Sequence, residues 1–93
     1  MAIEVHNNEA RSRYELVKDG HVVGIADYRV EGTQVVFPHT EIDPRLQGRG
    51  LGAVLVRGAL DDVRATGRHV VPRCWYVAHF IDENPEYGDL LAA

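Results

Sequence analysis

The chain has 93 residues, of which 45% are hydrophobic and 26% are charged, as is typical of a folded globular protein. Ten basic against fourteen acidic residues give a net charge of −4, so there is no overall basic field, and no nucleic-acid partner is expected. The single cysteine, Cys74, cannot form an internal disulfide, and the sequence shows neither a signal-peptide pattern nor an apolar run of about 18 residues. We therefore expect one cytoplasmic domain over residues 1–93, with no membrane partner.

The first half of the chain has the alternating pattern of antiparallel strands. We predict four strands, at residues 3–5, 13–18, 21–30 and 33–43. Asp19-Gly20 and Glu31-Gly32 supply the turns, because such pairs tolerate the positive φ angles of tight hairpins. The side chains expected on one face of the third strand are Val22, Ala26, Tyr28 and Val30. Pro38 lacks an amide hydrogen and predicts a bulge or an interrupted ladder in the fourth strand.

The second half of the chain changes to a helical period. An amphipathic helix over residues 51–66, stopped by Gly67, is predicted by four apolar residues at helical spacing, Leu51, Leu55, Ala59 and Val63. A short strand at 69–74 follows, and the helical crossover makes it parallel to the strand before it. A second helix at 75–83 is ended by Pro85. The predicted class is α/β (α+β, with a mixed sheet): an antiparallel meander, a β-α-β crossover and a terminal helix.

Three glycines lie between the fourth strand and the first helix: Gly48, Gly50 and Gly52. Their missing side chains allow a ligand to come close to the backbone. The helix start has no capping Ser, Thr, Asp or Asn and no acidic residue, so its free N–H groups are left for an outside anion, usually a phosphate. Arg45 and Arg49 add positive charge at the same place. The alternative is a plain glycine-rich turn.

Two other phosphate-binding motifs do not fit this loop. A mononucleotide P-loop requires a Gly-Lys-Ser/Thr ending, which is absent from the sequence. The dinucleotide fingerprint requires G-x-G-x-x-G with an acidic residue about 20 positions further on. Here the spacing is G-x-G-x-G, and Val70 and Val71 occupy that later region.

The segment Gln47-Gly48-Arg49-Gly50-Leu51-Gly52 resembles the Q/R-x-x-G-x-G/A acyl-CoA signature of the GCN5-related N-acetyltransferase (GNAT) superfamily. Two flanking segments fit the same resemblance, His39-Thr40-Glu41-Ile42-Asp43-Pro44 and Cys74-Trp75-Tyr76 with Asn84-Pro85. Together they resemble a minimal branch of that superfamily whose members are about as long as this chain. The similarity spans residues 13–91.

This resemblance implies a GNAT-like fold and an N-acetyltransferase that uses acetyl-CoA as cosubstrate and no metal. It implies that the Ile42 backbone pairs with the pantetheine arm. The residues whose backbone amides would hold the diphosphate are Gln47, Gly48, Arg49, Gly50, Leu51 and Gly52. The acceptor would be a primary amine of a small molecule or of a protein or peptide. We expect an open acceptor site and a monomer or weak dimer.

Acetyl transfer to an amine requires a base, donors for the charge that develops on the carbonyl oxygen, and an acid for the departing thiolate. His39 and Glu41 are two residues apart on a strand and so point to the same face, where they can accept the amine proton together or through a water. The alternative is a hydrogen-bonded strand histidine beside a solvated carboxylate. The resemblance adds the Ile42 N–H as a donor to the thioester carbonyl.

Cys74 ends the parallel strand just before the second helix, where the helix dipole is expected to lower the thiol pKa. It is a candidate to donate a proton or to carry the acetyl group briefly, and the alternative is a small buried apolar residue. The resemblance aligns Phe80 with a tyrosine that protonates the leaving thiolate in many relatives. Phe80 has no proton to give, so Tyr76 and Tyr87 are the alternative acids.

Two functions of other classes compete with acetyl transfer. A non-catalytic acyl-CoA-binding or sensing module would keep the phosphate loop without turnover. A small protein-interaction domain would use the loop only as the entrance to a helix. A metal site at His69, Cys74 and His79 is disfavoured, because structural zinc sites use four ligands in close pairs.

Overall fold

The computed structural model describes residues 2–92. Within this range five strands are present, β1 (Ile3–Asn8), β2 (Arg13–Lys18), β3 (His21–Glu31), β4 (Gln34–Ile42) and β5 (His69–Pro72). Two α-helices, α1 (Leu51–Thr66) and α2 (Trp75–Glu83), follow β4 and β5. Short 3-10 helices occupy Glu9–Arg11, Pro44–Leu46 and Pro85–Leu90. None of the helices in residues 2–92 is long and apolar enough to cross a membrane.

The strands form one mixed sheet in the order β1-β2-β3-β4-β5. The first four strands pair antiparallel with their sequence neighbours, whereas β5 lies parallel to β4, with Val70 opposite Val35. A parallel pair requires a crossover connection, and α1 provides it. The predicted fold class is confirmed, and both α-helices have their predicted bounds.

The strands differ from the prediction where the ladders are irregular. β1 continues past Val5 to Asn8, because its pairing with β2 continues to Arg13. The register of β2 and β3 shifts between Leu16 and Val17. The register of β3 and β4 shifts so that Phe37 and Pro38 together lie opposite Tyr28. The predicted bulge at Pro38 is therefore confirmed.

The shift between β2 and β3 changes which side chains of β3 face the core. Ala26 is fully buried and Tyr28 packs against the core. Val22 and Val30, predicted on the same face, are each 49% exposed. Val22 lies beyond the first shift, which leaves Val23 as an extra residue on β3 and so interrupts the alternation of this strand. At the second shift the extra residue is on β4, so Val30 stays on the face of Tyr28 and is exposed at the hairpin end of β3.

Helix α1 packs across the sheet and supplies much of the core. Its buried side chains recur every three or four residues and form one stripe, made of Leu51, Leu55, Val56, Ala59, Leu60 and Val63. This stripe belongs to a single apolar cluster with Leu16, Phe37 and Val70 of the sheet and Val77 of α2. Gly58 allows the close approach, since a Cβ there would lie 2.8 Å from the Cβ of Val5.

Candidate active site

Strands β4 and β5 separate before β4 ends. β5 pairs with β4 only as far as Phe37. Beyond that pair, the Cys74 N–H donates to the Phe37 carbonyl at 2.8 Å, just before α2 begins. The stretch from His39 to Ile42 therefore has a strand partner only on the β3 side. This leaves an open backbone edge of β4 beside the start of α2.

The backbone of Ile42 faces this open edge. The Asp43 N–H donates to the Val23 carbonyl at 2.8 Å, and this bond flanks the pair formed by Ile42 and Gly24. In an antiparallel ladder, a pair flanked in this way directs its own N–H and C=O groups away from the partner strand. The two groups of Ile42 therefore point away from β3. The alternation of the ladder gives Thr40 the same orientation.

The loop before α1 presents a row of N–H groups without protein partners. Within residues 2–92, no backbone N–H from Gly48 to Ala53 donates a hydrogen bond, and the first helical bond runs from the Val54 N–H to the Gly50 carbonyl at 3.3 Å. Gly50 is the N-cap and makes no side-chain cap bond. The Gln47 N–H makes a long bond of 3.5 Å to the Pro44 carbonyl. Of the predicted set from Gln47 to Gly52, the free amides are therefore those from Gly48 to Gly52, and Ala53 adds one more.

Two loop glycines adopt a conformation that side chains disfavour. Gly48 has a φ of +83° and Gly50 a φ of +74°, both in the left-handed region. A Cβ at either position would have no described protein atom within 4 Å. The surface above both glycines is therefore open to a ligand.

The two arginines near the loop differ in their partners. Arg45 makes a bidentate contact with Asp43, with nitrogen–oxygen distances of 3.1 and 2.7 Å. The Arg45 side chain, with a further bond from the Arg45 N–H, lowers the pKa of Asp43 to about 2. Arg49 forms no ion pair with another described residue. Its charge therefore remains uncompensated at the loop.

A cavity of about 420 Å³ lies between the loop, the open end of β4 and the start of α2. Its walls include Thr40 and Ile42 of β4 and Tyr76 of α2. The remaining wall is formed by Leu46, Gln47, Gly48, Gly50, Leu51 and Gly52. One cavity thus brings together a free strand edge, a row of free amides and a phenol.

Tyr76 is the tyrosine that reaches this cavity. It packs against Gly52 so closely that a Cβ at Gly52 would lie 2.8 Å from the Tyr76 Cζ. The Tyr76 hydroxyl makes no hydrogen bond with another described residue, so it is free to act on a ligand. Tyr87, the other tyrosine considered, is buried, and its hydroxyl donates to Asp61 at 2.7 Å. Phe80 is buried against the Tyr87 ring.

His39 and Glu41 lie on the same face of β4, as predicted. The distance from His39 Nε2 to Glu41 Oε1 is 3.0 Å, and the two side chains are 52% and 65% exposed. Glu41 lines a second cavity of about 670 Å³, and Thr40 and Ile42 border this cavity as well as the first. The carboxylate and the free amides therefore lie on two cavities that meet at the end of β4. The catalytic roles of the pair stay predictions.

Cys74 lies behind Thr40, with the thiol 3.5 Å from the Thr40 hydroxyl. Burial raises the pKa of this thiol, but the Thr40 hydroxyl and the N–H groups of Val77, Tyr76 and Thr40 favour the thiolate and together lower the pKa below its ordinary value. The thiol is half-buried and connects to the first cavity through Thr40.

Thr40 is the residue that sequence reasoning left without a role. It stands between His39 and Glu41 in the quoted run, and strand alternation places its side chain on the face opposite theirs. That signal alone does not reveal Cys74 as its neighbour. No group of three His, Cys, Asp or Glu side chains within residues 2–92 is placed to hold a metal ion.

Comparison with known proteins decides the family. Residues 13–90 match the family described as GCN5-related N-acetyl-transferase. The chain belongs to this family. NATD1 from Bos taurus is 31% identical over 85 residues, covering 89% of this chain and 75% of that protein. NATD1 from Gallus gallus is 29% identical over 85 residues, covering 89% and 77%.

Solved structures of GCN5-related acetyltransferases share the fold. A GCN5-like protein from Staphylococcus aureus superposes with a TM-score of 0.73 at 18% identity, over 97% of this chain and 88% of that one. The ribosomal-protein-S18-alanine N-acetyltransferase from Escherichia coli gives a TM-score of 0.67 at 18% identity, over 83% and 54%. Family membership and fold together support acetyltransferase activity.

Proposed function

We propose that the chain is an N-acetyltransferase that binds acetyl-CoA in the cavity beside Ile42 and transfers its acetyl group to a primary amine. The observation that carries this proposal is the row of N–H groups from Gly48 to Ala53 that lack protein partners. Free N–H groups at the positive end of a helix dipole favour a phosphate. The diphosphate of coenzyme A would satisfy these donors, and the unpaired charge of Arg49 would reinforce its binding.

The residues present fit such a cosubstrate at each part of the cavity. The space above Gly48 and Gly50 admits phosphates close to the backbone. The outward-facing N–H and C=O of Ile42 match an arm that carries amide groups. The cavity of about 420 Å³ is within the range of small-molecule sites.

Acetyl-CoA supplies an activated acetyl group in the form of a thioester. The Ile42 N–H is directed away from β3 and is placed to stabilise negative charge that develops on a carbonyl oxygen. Glu41 and His39 act as the base, since their paired side chains are exposed and Glu41 borders the neighbouring cavity. An acceptor amine that enters from the Glu41 side meets the acyl group at the end of β4.

Two groups are placed to return a proton to the departing thiolate. The hydroxyl of Tyr76 lines the cavity itself, and we assign it as the acid. Cys74 reaches the cavity only through Thr40, and its lowered pKa suits a group that exchanges a proton or accepts the acetyl group. Tyr76→Phe tests the first role, and the pH dependence of thiol alkylation tests the second.

The activity test measures release of the coenzyme A thiol from acetyl-CoA in the presence of primary amines. The panel includes small amines and peptides with free N-termini, because the Escherichia coli neighbour is named for an alanine of a ribosomal protein. We expect amine-dependent release that Glu41→Gln lowers by about 100-fold or more, since it removes a general base. Glu31→Gln, which alters an exposed ion pair with Arg29 in the β3–β4 hairpin, is the matched control and should leave release unchanged.

The release assay together with a thermal-shift titration with acetyl-CoA, which measures binding, separates the competing functions. Binding of acetyl-CoA without release for any amine would identify an acyl-CoA-binding or sensing module. Absence of binding would favour an interaction domain in which the loop serves only as a helix entrance.

A further inference from the structure

The second cavity, which contains Glu41, also has a basic residue in its wall. Arg13 of β2 is the only Lys, Arg or His among the described residues that line this cavity. The other charged residues of the wall are Glu41 and Asp43. Asp43 is already bound by the bidentate contact of Arg45. The charged groups left for an acceptor are therefore the carboxylate of Glu41 and the guanidinium of Arg13.

The side chain of Arg13 is held in place, but only one of its donors is used. Its Nε–H donates to Glu15 Oε2 at 2.8 Å, and the two side chains are 24% and 13% exposed. The side-chain amide of Asn8 fixes Glu15 by donating to the same oxygen at 3.1 Å. The two terminal nitrogens of Arg13 donate to no residue in the range 2–92. A guanidinium has five N–H donors and no acceptor, so four donors remain for a ligand.

The register of the sheet sets the distance between this guanidinium and Glu41. Glu15 pairs with Ile25 of β3, and Ile25 pairs with Glu41 of β4. Directly paired residues project from the same face of a sheet, so these three form one row. The bond to Glu15 draws the Arg13 side chain toward this row. Neighbouring strands lie about 4.8 Å apart, so Glu15 and Glu41 are separated by roughly 10 Å.

Most of the remaining wall of the second cavity is apolar. Its apolar side chains are those of Val22, Val23, Ile25, Ile42 and Pro44. Such a surface suits a methylene chain and disfavours further charge without a partner. An α-amino acid has a single carbon between its amine and its carboxylate and is too short to reach both charged groups. An amine with a longer chain to its anionic group can reach both.

We propose that Arg13 selects acceptors that carry a carboxylate several atoms away from the amine, as an ω-amino acid does. This inference rests on the proposed function. The carboxylate binds the terminal nitrogens of Arg13, the methylene chain lies on the apolar wall, and the amine reaches Glu41. A carboxylate accepts two parallel N–H bonds from a guanidinium, which adds geometric specificity to the attraction between the charges.

The test compares acetyl transfer to 6-aminohexanoate and to hexylamine, two primary amines of equal length that differ in the terminal carboxylate. Hydrogen bonds to a charged group are strong enough that kcat/KM of the wild type should be about tenfold or more higher for 6-aminohexanoate. Arg13→Gln should remove this advantage and leave kcat/KM for hexylamine unchanged. Arg13→Lys keeps the charge without the planar fork and should restore only part of the advantage.

Two further variants separate recognition of the acceptor from stability of the fold. Arg13→Gln combined with Glu15→Gln leaves no carboxylate without its partner at this place, and it should behave like Arg13→Gln alone. The matched control is Arg29→Gln, which breaks an ion pair of the same kind on β3, from Arg29 Nε to Glu31 Oε2 at 2.6 Å. Arg29 does not line the second cavity, so this variant should keep the preference of the wild type.

Equal kcat/KM for the two amines in the wild type, or a preference that Arg13→Gln retains, would overturn this inference and leave the proposed function standing. Equal losses for both amines in the single and the double variant would also overturn it, because Arg13 would then support the fold and not the acceptor. Transfer only to amines without an anionic group, such as 1,5-diaminopentane, would overturn it as well. Absence of coenzyme A release with every amine tested would overturn the proposed function itself.

Discussion

The two ends of helix α1 are built in opposite ways. At its C-terminus, Gly67 has a φ of +76° and its N–H donates to the Arg64 carbonyl at 3.1 Å. Arg64 forms a bidentate ion pair with Asp89 at 2.7 and 2.9 Å. At the N-terminus, Gly50 offers no capping side chain, and the amides of the first turn have no partner among residues 2–92.

The N-terminus of α1 therefore lacks the stabilisation that a side-chain cap would provide. A side-chain cap is worth about 1 kcal/mol, and the sequence uses one in the 3-10 helices that begin after Asn8 and after Asp43. The start of α1, which borders the cavity of about 420 Å³, lacks one. N–H groups without hydrogen-bond partners thus face the cavity, where an external anion can accept hydrogen bonds from them.

The largest expected effect comes from blocking the space at the N-terminus of α1, which should abolish the stabilisation by coenzyme A. Gly50→Glu places a side chain and a negative charge in the space above the loop, where no described atom now lies within 4 Å of a Cβ. Coenzyme A at 100 times its dissociation constant should stabilise the wild type by about 2.7 kcal/mol, which raises Tm by roughly 10 °C or more in a domain of this size. A thermal-shift titration of Gly50→Glu should be flat.

Gly67→Ala is the matched control at the other end of the helix. It puts a side chain into the same left-handed conformation and should destabilise the free protein by about 1 kcal/mol. The rise in Tm on adding coenzyme A should remain. Equal loss of that rise in both variants would show that the two ends of α1 do not differ in function.

The next effect compares the two tyrosines that pack along α1. Tyr76→Phe should lower the rate of acetyl transfer by about 100-fold with an unchanged Kd for coenzyme A, because it removes the acid at the first turn. Tyr87→Phe should keep the rate but lower the free energy of unfolding by about 1 kcal/mol, because the hydroxyl bonded to Asp61 and Arg57 is lost. Steady-state rates and calorimetry measure both effects, and full activity in Tyr76→Phe would move the acid role to Cys74.

The start of α2 differs from that of α1, because its amides meet the thiol of Cys74. Burial raises the pKa of this thiol, but the hydroxyl of Thr40 and the amides around it lower the pKa overall. Alkylation by iodoacetamide should therefore persist to lower pH than for an ordinary thiol, and its rate should fall as the pH drops through the lowered pKa. Thr40→Val should move the midpoint upward. An identical midpoint in the two proteins would contradict the stabilisation of the thiolate by Thr40.

The smallest effect concerns the capped turn just ahead of the loop. Arg45 lowers the pKa of Asp43 from 3.8 to about 2, so the carboxylate stabilises the fold above pH 3.8 and loses this contribution as the pH falls through 2. Asp43→Asn keeps a capping side chain without the charge. Its Tm should be slightly below that of the wild type at pH 6, and the gap should close toward pH 2. A gap that does not depend on pH would contradict this ion pair.

Much of this architecture follows from local pattern. The helical period fixes the bounds of α1 and α2, and Gly67 and Pro85 end them for steric reasons that need no tertiary information. The free N–H groups of the glycine loop can also be predicted, since the sequence shows that the start of α1 has neither a capping side chain nor an acidic residue. The bulge at Pro38 follows from an absent amide hydrogen.

Other features depend on which distant residues meet. The exposure of Val22 follows from the register with β2, which strand alternation does not reveal. The contact between Cys74 and Thr40 spans 34 positions and is set by the parallel pairing of β4 with β5. The choice of Tyr76 over Tyr87 requires knowing which helix turn packs against Gly52.

The most direct test of the account is an amide NMR titration of the ¹⁵N-labelled protein with coenzyme A. The backbone N–H signals from Gly48 to Ala53 should show the largest shifts of the chain, because these donors gain phosphate acceptors. The N–H of Gly67, already bonded to the Arg64 carbonyl, should barely move. Binding that leaves the signals from Gly48 to Ala53 in place would contradict the central claim.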